Sequence, residues 1–200
     1  ISGSNGAYEF DGLNWLQYDA GVSSFPRSYV KEIDFESNGD AWLLAMGRLY
    51  KKSDTTFINY GFPGYDLVVD TNDIPWITRD YNYPSGPIFS YFDGLNWHDS
   101  GPAFIDGSSV IACDRNNVKW IGSSEYGLIK FTDSVETIFS EDNSPLASNF
   151  IYDLYCDSKE NVWINTGYSI QKLDGNSWTT WPLLTPNFLM ETVDGFSEDK

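Results

Sequence analysis

Asp114-Arg-Asn-Asn-Val-Lys-Trp120-Ile121 and Asp157-Ser-Lys-Glu-Asn-Val-Trp163-Ile164 are two copies of one phrase. In each, an acid stands six residues before a tryptophan and an aliphatic residue follows the ring. The frame recurs at Glu36-Ser-Asn-Gly-Asp-Ala-Trp42-Leu43 and at Asp70-Thr-Asn-Asp-Ile-Pro-Trp76-Ile77, with successive anchors 34, 44 and 43 residues apart. Self-similarity at such a period marks a solenoid, a propeller or an array of small units.

The text around each anchor alternates. Ile33, Leu67, Ile111 and Leu154 lie three residues upstream, and Phe35, Val69, Cys113 and Cys156 one residue upstream. Apolar residues two apart are the signature of a strand. A second strand follows each Trp, then a glycine-containing turn and a third strand, as in Leu128-Ile129-Lys130-Phe131 and Ser169-Ile170-Gln171-Lys172-Leu173. Asp-Gly-x-x-Trp comes next, at Asp11 to Trp15, Asp93 to Trp97 and Asp174 to Trp178. Asp-Gly is a tight-hairpin signal because glycine takes positive φ without strain, so the Trp opens a fourth strand. Four strands in about forty residues is one propeller blade. The spacing predicts an all-β protein: a β-propeller of four-stranded antiparallel blades, with five repeats over residues 1–200 and no internal domain boundary.

The ends fall inside blades. The opening Ile1-Ser-Gly-Ser-Asn-Gly-Ala-Tyr8 matches text that follows a repeat Trp, so the Trp position falls one residue before Ile1. Val193, Phe196 and Asp199 match Ile151, Leu154 and Asp157, although Glu198 stands where an apolar residue is expected. Two arrangements fit: the C-terminal strand completes the first blade and closes a ring of five, or the chain is part of a larger propeller. Ends that cut inside a hairpin and the absence of an initiator Met favour the second arrangement as the expectation.

Composition narrows the function classes. Aromatics make up 17% of the chain, which suits many short strands. A formal charge of −17 repels phosphate backbones and excludes nucleic acid as a natural partner. No apolar run approaches the roughly 18 residues of a spanning helix, so this segment is not expected to insert in a membrane.

The phrase D-x-x-x-x-x-W-[IL], followed by glycine, a hydrophobic pair and Asp-Gly, resembles the two-component regulator propeller repeat. Asp114 to Phe131 and Asp157 to Gly175 carry the likeness best, and Glu36 to Asp66 is the most divergent copy, with Lys51-Lys-Ser-Asp-Thr-Thr-Phe57 in place of Asp-Gly. The resemblance implies a bacterial extracytoplasmic module, in sensor kinases that respond to glycans or in secreted and surface proteins, in rings of seven blades. The repeat also loosely resembles that of seven-bladed antibiotic-linearising lyases.

The repeated acids are expected to cap turn amides rather than bind metal, and the repeated Trp residues to form core between blades. Cys113 and Cys156 share one repeat position on adjacent blades and are expected to be free, buried thiols. A single histidine, His98, rules out a two-histidine mechanism or a His-rich metal site. No residue stands out as catalytic, no cofactor is implied, and no metal site is expected. Function is sought in the loops that differ between repeats. Those joining second to third strands, and those joining blade to blade, share one face. They carry Phe62, Tyr65, Tyr81, Tyr83, Tyr126, Tyr168 and Trp181 among Asn, Asp and Ser. Such a rim suits sugar rings or extended peptides, with flat apolar faces beside hydrogen-bonding groups. The expectation is a non-catalytic extracytoplasmic module binding a glycan or a protein partner within a longer chain or assembly. The alternatives are a structural unit of a large secreted protein and, less favoured, a propeller lyase or glycan-active enzyme.

Overall fold

The computed structural model describes residues 2–3, 6–18, 25, 29–54, 56–79, 89–101, 110–132 and 135–183. The strands form five antiparallel meanders. The first blade holds β1 (Ser2–Gly3), β2 (Gly6–Phe10) and β3 (Trp15–Tyr18). The second holds β4 (Val30–Phe35), β5 (Ala41–Ala45), β6 (Arg48–Ser53) and β7 (Thr56–Pro63). The third holds β8 (Leu67–Val69), β9 (Pro75–Thr78), β10 (Phe89–Phe92) and β11 (Trp97–Ser100). The fourth holds β12 (Val110–Cys113), β13 (Lys119–Gly122), β14 (Leu128–Thr132) and β15 (Val135–Phe139). The fifth holds β16 (Asp153–Cys156), β17 (Val162–Asn165), β18 (Ser169–Asp174) and β19 (Ser177–Pro182).

Inner strands β4, β8, β12 and β16 pack each against the next, and β1 packs against β4, so the sheets are arrayed side by side about the axis that the inner strands line. This is the blade arrangement that the repeat predicts. The first blade shows three strands, with β1 paired to β2 as a second strand pairs to a third. The expected strand at Val193 to Asp199 lies outside the described residues.

Each anchor carboxylate builds its own turn. The backbone N–H of Asp114 donates to the carbonyl of Val118 (3.0 Å), and that of Asn117 donates back to Asp114 (3.0 Å). One carboxylate oxygen of Asp114 accepts the amides of Asn116 and Val118 at 2.9 and 3.0 Å, and the other accepts the Trp120 indole N–H at 3.2 Å. Asp70 and Asp157 repeat the pattern, with indole bonds from Trp76 and Trp163 of 2.9 Å each. Capping, as expected, is what these acids do. The turn forces its fourth residue into left-handed backbone: Gly39 has φ 89°, but Asp73, Asn117 and Glu160 hold 62°, 65° and 66°.

The cores lie between blades. Trp42 packs with Leu67, Ile77 and Phe92 of the third blade. Trp76 packs with Ile111, Ile121 and Phe131 of the fourth, and Trp120 with Ile151, Leu154 and Ile164 of the fifth. An ion pair is built into one of these seams. Lys119 Nζ of the fourth blade lies 2.8 Å from the Asp70 carboxylate of the third, with side chains 5% and 2% exposed, and 4.4 Å from the Trp76 ring centroid. Burial pushes the Asp70 carboxyl up, but the bonds from Lys119, Trp76 and the turn amides outweigh it and hold the group below its ordinary value.

A second set of acids staples inner strand to inner strand. Asp34 accepts the Val69 amide (2.6 Å) and Asp66 the Ile111 amide (2.9 Å), each across a blade boundary. A bulge between Val30 and Glu32 displaces Lys31 from the ladder, and its amine reaches the Tyr65 carbonyl at 2.5 Å. Burial raises Glu32 to about 7, with the charge of Asp66 adding to it. Burial also raises Asp66 to about 6, against the pull of Lys31 and the Ile111 amide, and raises Asp34.

Four outcomes are expected. Asp114→Ala strands a buried indole N–H and two amides and costs about 2 kcal/mol. Asp70→Ala also strands a buried ammonium and costs about 3–5 kcal/mol. Chemical denaturation checks both, and Lys119→Met added to Asp70→Ala restores part of the loss. Glu160→Gly relieves a left-handed residue and gains up to about 1 kcal/mol in the same assay. Finally, Glu32, Asp34 and Asp66 bind protons more tightly folded than unfolded, so acidification from pH 8 towards about pH 5 stabilises the fold. Asp157 and Asp93, each held at about 2, and Asp70 act oppositely, and their contribution is lost as pH falls through the ordinary carboxylate range. The Tm is therefore highest near about pH 5, and a Tm that rises steadily from pH 5 to 8 contradicts this balance.

Candidate functional site

Second-to-third-strand turns and blade-to-blade connections meet at one end of the sheets. The Gly64 amide donates to Gly47 (3.0 Å), Gly127 to Asn149 (3.0 Å), Ile151 to Ser123 (2.9 Å), and Leu183 to Tyr168 (2.9 Å). The expected common face is therefore present, and its fourth and fifth blades carry a run of exposed rings.

Tyr126 follows Ser123, whose hydroxyl accepts the amides of Glu125 and Tyr126 at 3.0 and 2.6 Å. The Gly127–Asn149 bond sets Tyr126 beside the connection that holds Phe150 and Tyr152, whose ring centroids are 4.5 Å apart. The Tyr152 ring lies directly on Gly167: a Cβ built there would come within 2.4 Å of it, at a backbone φ of 77°. Glycine is thus required twice over. Tyr168 follows, 66% exposed, and its carbonyl holds Leu183 just beyond Trp181, which is 45% exposed. Trp181 stacks on the Trp163 indole at 5.6 Å and 18°, so one of its faces is already committed.

This surface is held rigidly. Asn149 and Glu141 exchange side-chain-to-amide bonds of 2.9 and 2.7 Å. Fully buried Gln171 accepts the Ala147 amide (2.8 Å) and donates to Pro145 O and Thr180 Oγ1 (2.9 Å each), pinning the connection to β18. Leu146 anchors it in the core below. Rings presented on a pre-ordered loop lose little entropy on binding.

The structure does not bring all the expected rim residues together. Phe62 lies within outer strand β7, not in a connection. Between the pairs Arg48↔Pro63 and Tyr50↔Asn59, residues 60–62 bulge out of the ladder. Phe62 is half-buried there, stacked on Trp97 at 3.9 Å and 19°, with the Arg79 guanidinium 5.3 Å from its ring. Trp181 likewise belongs to outer strand β19, paired with Ile170. Tyr65 sits at the mouth of β8, half-buried against the core of the fourth and fifth blades, with Lys31 Nζ 3.1 Å from its ring centroid. Tyr81 and Tyr83 lie outside the described residues. Phe150 and Tyr152 were not singled out in the sequence. Their signal is the alternation itself, since Ile151 between them points into the core and its neighbours must point out.

Among the described residues, no group of three or more His, Cys, Asp or Glu is placed to hold a metal. His98 lies on outer strand β11, its Nε2 2.6 Å from Asp93 and its ring stacked on Tyr91 at 4.8 Å. Cys113 and Cys156 are free as expected, but only partly rather than fully buried, and burial pushes the Cys113 thiol up to about 11 and Cys156 higher still. Neither is a thiolate nucleophile at neutral pH. What the face offers is aromatic planes beside amide and carboxylate acceptors, in a chain of strong negative charge.

No family model and no curated protein sequence matches the chain. Solved structures do. Virginiamycin B lyase from Staphylococcus aureus is similar at a TM-score of 0.69 and 15% identity, over 87% of this chain and 61% of the lyase. The extracellular domain of BT4673 from Bacteroides thetaiotaomicron is similar at 0.70 and 16%, over 88% of this chain and 26% of that one. PorZ of Porphyromonas gingivalis, a bacterial surface component of the type-IX secretion system, is similar at 0.63 and 16%, over 87% and 30%. The chain thus spans about three-fifths of the lyase and about a quarter of the BT4673 domain. These are β-propeller proteins, and at such identities the likeness establishes the fold: the chain is built of β-propeller blades.

Proposed function

We propose that the chain is a non-catalytic, extracytoplasmic binding module that recognises a glycan through the loop face of its fourth and fifth blades. One observation carries this reading. Tyr126, Phe150, Tyr152 and Tyr168 are exposed on hydrogen-bonded loops of two adjacent blades, with Trp181 of strand β19 exposed beside them. Flat rings stack on the apolar faces of pyranoses, while Asn, Ser and carboxylate groups between them meet hydroxyls. The placement outside the cytoplasm is supported by the extracellular domains among the structural neighbours. The lyase among them keeps a catalytic reading in view, but His98 on an outer strand and two raised thiols supply no acid–base or nucleophilic pair on the loop face.

A panel of defined oligosaccharides, titrated calorimetrically against the chain, tests the proposal. At least one binds, and Tyr126→Ala, Tyr152→Ala and Tyr168→Ala combined weaken it about tenfold or more, as expected for loss of aromatic anchors. Circular dichroism of the variant stays unchanged, because these rings are exposed. Glycan affinity that survives all three changes sinks the reading. Cleavage of a panel member, abolished by changing one acid on this face, would replace it with an enzyme.

A further inference from the structure

The charge on the loop face of the fourth and fifth blades is one-sided. The described residues of these blades include five basic side chains, and all of them stand away from that face. Arg115 and Lys159 belong to the anchor turns at the opposite end. Lys119 is buried in the seam against Asp70, and Lys172 pairs with Asp174 at 3.5 Å beside the closing hairpin. Lys130 sits in mid-strand on β14, 5.3 Å from the Trp120 ring centroid. Acids are distributed otherwise. Glu125 precedes Tyr126 in the turn after β13, and Glu141 and Asp142 open the connection that leads to Phe150 and Tyr152; all three are exposed. On the third blade, Arg79 stands at this end, but its guanidinium is engaged by Asp99 and packs against Phe62.

The loop hydrogen bonds leave these charges in place. Glu141 Oε1 accepts the Asn149 amide at 2.7 Å, a neutral donor that does not offset the carboxylate. An ionised carboxylate only accepts hydrogen bonds. What the face presents beside its rings is therefore acceptor oxygen and negative charge, with no ammonium or guanidinium among the described residues of the two blades to answer an acid. A ligand that fits must bring hydrogen-bond donors and flat apolar faces. A sugar with free hydroxyls brings both. A uronate or sulfate group instead sets acceptor against acceptor and like charge against like charge, inside the roughly 8 Å over which exposed charges act at physiological salt.

We propose, resting on the glycan reading of these rings, that the ligand class is the glycan free of acidic groups, and that the face rejects uronate-bearing and sulfated chains. Tyr126, Phe150, Tyr152 and Tyr168 supply the stacking surface. Glu125, Glu141 and Asp142 set the selection, by accepting from hydroxyls and repelling acidic sugars.

Matched pairs of hexasaccharides test this: cello-, manno- and chito-hexaose, each beside its carboxylated or sulfated counterpart. They are labelled at the reducing end and titrated by anisotropy against the whole chain, in about 20 mM and about 300 mM NaCl. At least one neutral hexasaccharide binds, and its acidic counterpart binds about tenfold or more weakly at the lower salt. The gap narrows at the higher salt, where the charges are screened. Glu125→Gln, Glu141→Gln and Asp142→Asn combined narrow it as well. Each replacement keeps a carbonyl acceptor, so the bond to the Asn149 amide persists and the loop stays in place. The proposal is overturned if an acidic member binds as well as its neutral counterpart, a result that leaves the glycan reading standing. It also fails if the gap keeps its full size after the three changes, since the charges responsible then lie elsewhere. If no member of either series binds, or if binding outlasts the loss of Tyr126, Tyr152 and Tyr168, the glycan reading itself falls and this selectivity falls with it.

Discussion

One carboxylate serves at least three donors in each of the second to fifth blades, and the rest of the architecture depends on it. An acid placed beside a buried indole pays a desolvation cost that only full use of its oxygens offsets. Asp70, Asp114 and Asp157 achieve this by turning one oxygen to two turn amides and the other to the Trp N–H. The turn is thereby tied to the ring, and the ring to the seam with the next blade. The second blade shows how tolerant the device is. Glu36 is longer by a methylene and spends Oε1 on Trp42 (2.7 Å) and Lys51 (2.6 Å), while Asn38 takes over the Asp40 amide (2.7 Å).

The two ends of each sheet consequently do different work. Anchor turns at one end are saturated with internal bonds and touch one another across seams, as Ser37 does with Asp73 through two bonds of 2.6 Å. Such an end has few unsatisfied groups to offer a ligand. The opposite end carries connections of unequal length, and there side chains are released to solvent. Between the ends, the inner strands hold acids raised by burial, with the charge of Asp66 adding to the rise of Glu32, so this region carries protonatable carboxyls.

Much of this was written locally. Alternation around each anchor, the Asp-Gly turns and the period of about forty residues are short-range signals. Even the divergent hairpin in the second blade obeys local rules, since Asp54 takes φ 54° where the first, third and fifth blades use glycine. The candidate site was only half legible. Tyr126 and Tyr168 follow from loop position, and Phe150 and Tyr152 were recoverable from the alternation around Ile151. The burial of Phe62 was not, because it depends on a bulge in its own ladder and on Trp97, 35 positions away on another blade. The Lys119–Asp70 pair, 49 residues apart, was equally hidden.

By itself, then, the sequence determined the repeat: its strands, its turns and the carboxylate-to-indole unit, all set by residues within a single blade. Tertiary structure alone decided which rings face solvent and which ammonium enters a seam. The physical reason is the same in each case. A blade buries its faces only against its neighbours, so the environment of any side chain in a seam is set by residues one repeat or more away.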